Sequence, residues 1–405
     1  MGIVFKGSPE PTLGVEIELQ TIDPASKALV SGAPRILELY PDHPHIKKEL
    51  LQSCLELNTA ICRDVGEVET DLKARLSEVL QVAQRLGIGL IAAGTHPFSC
   101  WMDQEVTPDS RYHTQLERTQ WTARRMLTFG LHVHVGISSA EKAIAVFNAM
   151  TSYVPHLLAL SASSPFWEGM DTGLESARSK VFEALPGGGL PFRVRNWTEF
   201  QRMIRVLQRI GSINSIQEVW GDLRPHSRYG TLEMRVCDAM SNLHELLAVT
   251  AFVQTLVVWL GDLYDRGSFI ELPRFWVLQE NKWRAARFGT HCRLVVNENG
   301  DQQLFRNLME DLLEQLSPVA EALGCWRYLQ RIERMLEHGG SSVRQRHLFH
   351  CTGSLPAVVE GLEEELRISL MGGEPPCVKA PLVQPVEHPR FRDPLHNRGA
   401  LVRDN

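Results

Sequence analysis

The chain carries eight cysteines, at 54, 62, 100, 237, 292, 325, 351 and 377, and no Cys-x-x-Cys pair. Such scattered thiols argue against a disulfide framework or a zinc ribbon and fit a reducing cytoplasmic setting. An excess of positive charge is also missing. The net charge is −6 and the pI is near 6.2, so nothing invites nucleic acid or an anionic membrane. No basic segment followed by an apolar run opens the sequence, so no signal peptide is expected. The most apolar stretch, Leu246 to Leu260, is interrupted by Thr250, Gln254 and Thr255. It is too short and too polar for a membrane span and reads as a buried helix. Gly187-Gly188-Gly189 lacks the Lys-Ser/Thr of a P-loop and the spacing of a dinucleotide fingerprint, so it reads as a flexible loop. No internal repeat is evident. At 405 residues, 43% hydrophobic and 22% charged, the composition is that of a water-soluble globular protein of one large domain or two ordinary ones.

What is present is a repeated strand pattern. In Gly14-Val15-Glu16-Ile17-Glu18-Leu19 the apolar residues alternate strictly with two glutamates. Side chains alternate across a strand, so one face packs a core and the other carries two carboxylates about 7 Å apart. A strand with a merely wet outer face would look the same. The pattern recurs, however, in Leu55-Glu56-Leu57-Asn58-Thr59, in Leu131-His132-Val133-His134-Val135 and in Leu232-Glu233-Met234-Arg235-Val236. Four segments with an apolar back and an ionisable front suggest one antiparallel sheet whose front lines a site. Carboxylates and imidazoles without cysteine suit hard cations, Mg²⁺ or Mn²⁺, better than zinc. Arg235 adds a planar donor fork suited to phosphate or carboxylate.

Along the chain, Asp23 to Ser26 reads as a turn, and residues 33 to 41 as a short helix. Glu49 lies seven residues before Glu56, an odd separation that puts the two on opposite faces of an unbroken strand. Only a bulge or bend would bring Glu49 to the front. Leu72 to Leu86 show helical spacing with Gly87 as a stop, and residues 88 to 93 read as a buried strand. His96 reads as a loop histidine. Helices are expected over 113–127 and 141–163. Asn242 and Glu245 match a capping box. Arg224 is a candidate for phosphate or acid recognition. Lys282, Arg284 and Arg287 lie on a basic segment at helical spacing that faces either water or a nucleotide. Ser317-Pro318 is expected to start a helix running towards Glu337. Further helices are expected from Ser341 and over 356–370. Residues 372–405, rich in proline and charge, read as a disordered or draped tail behind a catalytic region of residues 1–371. Strands with polar fronts before residue 240 and helices after it suggest an α+β fold.

These motifs carry a resemblance. Gly14 to Glu18, Glu56-Leu57-Asn58-Thr59, Gly130 to His134, Arg224-Pro225-His226, Gly230 to Asp238 and Asn281 to Gly289 together resemble the bacterial carboxylate–amine ligases often labelled glutamate–cysteine ligase type 2. The resemblance runs from about Thr12 to about Leu370. It implies the glutamine-synthetase-like fold, a curved antiparallel sheet with a polar metal- and nucleotide-binding face and helices behind it. It implies ATP-dependent amide formation between a γ-carboxylate and an amine, with Mg²⁺ or Mn²⁺. By position, Glu16, Glu18, Glu56, His132 and Glu233 match the family's metal ligands, and His134 matches less well. Arg235 matches a phosphate-contacting arginine, with Arg224 and Arg287 as further candidate cofactor contacts. Glu49 matches a further acidic place, so Arg235, Glu233 and Glu49 are the candidate catalytic residues. The implied partners are small molecules only: ATP, a glutamate-like acid and an amine acceptor. Neither nucleic acid nor membrane is expected, and homo-oligomerisation is left open. Two other readings stand beside it. His132-Val133-His134 also opens the metal site of barrel amidohydrolases, which need no ATP, and the same fold could serve a non-catalytic Mg-nucleotide-binding protein.

Overall fold

A computed structural model describes residues 3–268 and 271–374. The expected tail therefore lies, from residue 375 onward, outside the described residues.

A seven-stranded antiparallel sheet organises the molecule. Its long central strand, Leu13–Ile22, pairs on one side with Cys54–Asn58, which in turn pairs with the short strand Ile46–Lys48. On its other side it pairs first with Gly130–Gly136 and further along with Gly89–Ile91. Thr231–Asp238 and then the edge strand Leu223–His226 complete the sheet. The alternation read in the sequence holds. Val15, Ile17, Leu55, Leu57, Leu131, Val133, Leu232 and Met234 are all buried on the back, in one hydrophobic cluster.

Helices pack against that back. Val65–Arg85 presents Val68, Leu72, Leu76 and Val79 to the core and starts at Asp64, whose carboxylate accepts the Glu67 amide. Such a cap offsets one of the orphan amides at a helix start. Leu243–Asp265 is apolar nearly all round, and 78% of its most apolar window is buried inside the protein, which marks a core helix. Asn242 caps it by accepting from the His244 and Glu245 amides. Only half of the expected capping box forms, because the Glu245 carboxylate instead takes the Arg344 guanidinium at 2.7 and 2.9 Å.

Three helix expectations are corrected. Ser317-Pro318 does not open a helix: Phe305–Ala322 runs straight through Pro318. An interior proline costs about 3 kcal/mol, and burial of Phe305, Met309, Leu312, Leu313, Leu316 and Ala320 along one face outweighs it. The 113–127 segment breaks at Gln120, whose φ is +49°, into Ser110–Thr119 and Trp121–Arg124. The 141–163 segment becomes Ala140–Met150 and Val154–Ser161, with Pro155 at the start of the second. Hairpin Arg293–Val295/Gln302–Leu304 has no counterpart in the sequence reading.

Candidate active site

Cross-strand register assembles the site. Glu18 stands opposite Glu56, and Glu56 opposite Lys47. Glu16 stands opposite Asn58 on one side and His132 on the other. His134 stands opposite Glu233, and Glu233 opposite Arg224. Paired residues in a sheet point to the same face, so four motifs distant in sequence share one front. They line a cleft of about 400 Å³, a fitting size for a small-molecule site.

Within the cleft the acids form two groups. Ligand atoms of Glu16, His134 and Glu233 lie within 4.8 Å of one another, and so do those of Glu18, Glu49 and Glu56. The Glu16/Glu18 pair is thus divided, one carboxylate to each group. Glu49 reaches the front neither by a bulge nor along an unbroken strand. Strands Ile46–Lys48 and Cys54–Asn58 fold back on each other, and Glu49 sits in their connection.

The two groups differ in charge state. Burial opposes ionisation of Glu16, but the hydrogen bond of His132 and the charges of His134 and His132 bring its pKa well below the usual range. Burial also opposes ionisation of Glu233, yet Arg235 and Arg224 lower its pKa strongly. Arg224 grips it through Nε and Nη2 at 2.8 and 2.9 Å, and Arg235 Nη1 also donates to it. In the other group burial raises Glu49 well above the usual range, and the neighbouring Glu56 and Glu18 raise it further. Glu56 is raised by burial and by the charge of Glu16, and Glu18 by burial, offset in part by Arg178.

Three buried carboxyls that raise one another's pKa are a place where a divalent cation would take over from protons. His134 offers a second sign. Its Nδ1 lies 3.0 Å from Thr231 Oγ1, while its buried Nε2 makes no hydrogen bond and has Glu16 and Glu233 oxygens at 3.5 and 3.9 Å. A histidine fixed at one nitrogen leaves the other for a metal. Oxygen donors with one imidazole nitrogen fit Mg²⁺ or Mn²⁺. His132 differs from the expectation: its Nδ1 lies 3.2 Å from Glu16 Oε2, and it belongs to neither three-residue group.

Most of the predicted residues meet here, and some do not. Glu16, Glu18, Glu49, Glu56, His132, His134, Arg224, Glu233 and Arg235 all line the cleft. Arg287 is not among its lining residues; it lies over the Phe288 ring, with its guanidinium carbon 4.8 Å from the ring centroid. Lys282, read as facing either water or a nucleotide, is 2% exposed and pairs with Asp222 at 2.6 Å and Glu183 at 2.7 Å. His96 lies in a loop, as read, and is buried there. Its ring bonds the Lys27 carbonyl and the Ser99 amide at 3.0 Å each, and burial pushes its pKa down to about 4. Sequence reading missed Arg178, Trp220, Arg111 and Tyr112, which also line the cleft. None lies on an alternating strand, so no periodicity marked them.

Comparison with known proteins places this geometry. A glutamate–cysteine ligase 2 of Gloeobacter violaceus, provisionally so named, is 45% identical over 370 residues, which is 90% of this chain and all of that one. A protein of the same provisional name from Thermobifida fusca is 44% identical, covering 91% of this chain and 94% of its own. Among solved structures, the glutamate–cysteine ligase of Francisella tularensis in complex with AMP shares the fold, with a TM-score of 0.65 at 13% identity over 91% of this chain and 94% of that one. A bifunctional glutathione synthetase of Pasteurella multocida gives the same TM-score at 14% identity, over 89% of this chain and 53% of its own. Residues 12–361 match glutamate–cysteine ligase family 2 (GCS2), and with these relatives the chain belongs to that family.

Proposed function

We propose that this protein is an ATP-dependent carboxylate–amine ligase. It would join the γ-carboxylate of glutamate, or of a similar acid, to an amine such as cysteine. One observation carries the reading: two acid groups lie side by side on one sheet front with the paired guanidiniums of Arg224 and Arg235 beside them.

The chemistry requires such a front. A carboxylate does not acylate an amine at neutral pH, because oxide is a poor leaving group. Moving the γ-phosphoryl of ATP onto the acid gives an acyl phosphate, and phosphate then leaves when the amine attacks. Catalysis of this transfer is mostly positioning and charge stabilisation. Glu16, His134 and Glu233 would hold one divalent cation and Glu18, Glu49 and Glu56 another. Mg²⁺ or Mn²⁺, when bound, supplies neutralisation of phosphate charge. Arg235 presents a fork that matches a phosphoryl group and is held beside the reacting centre by Glu233. Arg224 fixes Glu233 from the edge strand.

The barrel-amidohydrolase reading fails on architecture, since the two histidines lie on an antiparallel sheet among carboxylates. The test is a screen of amines for stimulated ADP release in the presence of glutamate, with and without EDTA. ADP release that needs the acid, the amine and a divalent cation is the expected result. Full turnover in EDTA without nucleotide would remove the ligase reading. Tight Mg-ATP binding with no phosphate release for any pair would leave a nucleotide-binding protein instead.

A further inference from the structure

Arg178 is a cation of the cleft to which the ligase reading gives no role. It lies on the short helix Ala177–Phe182, is 3% exposed, and lines the cleft with Glu18, His132 and Arg235. Its placement is specified from several directions. Nη1 donates to the Val236 carbonyl at 3.1 Å and Nη2 to the Arg235 carbonyl at 3.2 Å. Asp238, fully buried, has an oxygen 3.8 Å from Nη1. Asp238 is itself fixed by the Ser163 amide at 3.0 Å and by the hydroxyls of Ser164 and Ser176 at 2.7 and 2.9 Å.

Gly130 makes room for this group. A Cβ there would lie 2.4 Å from Arg178 Nη2 and 2.9 Å from His132 Nε2. Its φ is outside the left-handed region, so the backbone does not need glycine; the guanidinium does. Arg178 Nε is buried and has no acceptor, and the same is true of Arg235 Nε. Two adjacent guanidiniums in one cleft thus each hold back an N–H. Buried donors are normally satisfied, so each guanidinium keeps an N–H for which the protein itself supplies no acceptor.

We propose that Arg178 is an oxyanion-binding residue of the cleft and that Asp238 is the positioning residue that holds it. The oxyanion is carried either by the acid substrate, as a carboxylate, or by the phosphoryl group of the nucleotide. Only this identity rests on the ligase reading; the anion contact does not need turnover.

Calorimetric titration of glutamate and of inorganic tripolyphosphate, each with Mg²⁺, into the wild type and Arg178→Ala decides it. We expect one probe to bind at least about tenfold more weakly to Arg178→Ala, as befits loss of a charge-assisted contact. Weakened glutamate assigns the carboxylate, and weakened tripolyphosphate assigns the phosphoryl group. Equal behaviour of the two proteins towards both probes, including no binding by either, overturns the proposal. Gly130→Ala keeps Arg178 but intrudes on its guanidinium, and should weaken the same probe. In turnover, added guanidinium ion should restore part of the activity of Arg178→Ala but none of that of Asp238→Asn, in which the arginine is present but loosened. If Arg178→Ala melts lower and guanidinium restores nothing, Arg178 is a structural cation and the proposal fails. If the wild type shows no ATP-dependent turnover at all, the ligase reading falls while the titrations still decide Arg178.

Discussion

The two acid groups of the cleft stand on the same strands, share the Glu16/Glu18 pair, and are built in opposite ways. Glu16 and Glu233 are surrounded by His132, His134, Arg224 and Arg235 and are held ionised. Glu18, Glu49 and Glu56 are buried beside one another, Arg178 and Lys47 offset this only in part, and their carboxyls are pushed towards the protonated form. The difference arises from register. The strand beyond Glu16 contributes histidines, and the next two contribute arginines at matching positions. On the other side the neighbours of Glu18 are Glu56 and, through the hairpin, Glu49. One group is thus ionised as it stands, and the other is held towards protonation by its surroundings. This is a reason to expect that they respond differently to every perturbation.

The largest expected effect is on turnover, and it should be common to both groups. Glu18→Gln and Glu233→Gln each remove a ligand charge while nearly keeping the shape. ADP release coupled to amide formation should fall at least ~10²-fold in either, the scale of losing a positioned electrostatic stabiliser. Unchanged activity in one of them, with the other inactive, would show that only one group serves the chemistry.

A smaller loss is expected from Arg235→Lys, which keeps the charge beside Glu233 but loses the fork. We expect kcat to fall about tenfold with little change in the KM for ATP, because the contact should tighten as the phosphoryl moves. A raised KM with unchanged kcat would make Arg235 a ground-state binding group.

Stability should separate the groups by sign. Glu233→Gln leaves two buried guanidiniums short of a counter-charge and should cost about 3 kcal/mol. Glu49→Gln relieves repulsion and should raise the melting temperature of the metal-free protein by a degree or more, for about 1 kcal/mol. The pH dependence follows the same division. A carboxyl raised in the folded state contributes its stability below the ordinary value and loses it as pH rises through the folded value. In EDTA the Glu18/Glu49/Glu56 group should therefore favour folding as pH falls from neutral towards 4.5, the ordinary glutamate value. Glu16 and Glu233 are lowered, so their contribution is lost only below that value. Melting curves from pH 8 to pH 4 in EDTA check this. If Glu49→Gln and Glu233→Gln shift the melting temperature in the same direction, the contrast is wrong.

How much of this was legible in the sequence follows from what is local. Alternation is local, so the faces of the Glu16, Glu56, His132 and Glu233 strands could be read directly. Register is not local. Nothing in Leu131 to Val135 says that His134, rather than His132, meets Glu233, because a bulge between Leu131 and Val133 sets the pairing. Period-two reasoning alone set Glu49 off the front, since it assumes one unbroken strand; the bend it left open is where the chain turns back. Arg178 and Tyr112 reach the cleft from helices, where no pattern distinguishes a site residue from a solvated one. Pro318 shows the limit of punctuation signals: a buried helical face of six residues overrode a local preference.

The smallest effect is also the most direct measure of the contrast. A carboxylic acid must shed its proton to bind a cation, so cation binding at a protonated group releases protons into the buffer. Glu16 and Glu233 are already ionised near neutral pH and have none to give. His134 is raised above its ordinary value by Glu233 and Glu16 against the effect of burial, so its share should fade as pH climbs past the histidine range. Glu49 is raised well above its ordinary value by burial and then by its carboxyl neighbours, and its share should persist to higher pH. Titrating Mn²⁺ into the metal-free protein in buffers of different ionisation enthalpy gives the count. We expect protons to be released near neutral pH, fewer in Glu49→Gln by the part that persists when pH is raised. An identical count in wild type and Glu49→Gln at every pH would mean that the Glu18 group is ionised before the cation binds. The two groups would then differ in their neighbours but not in their readiness.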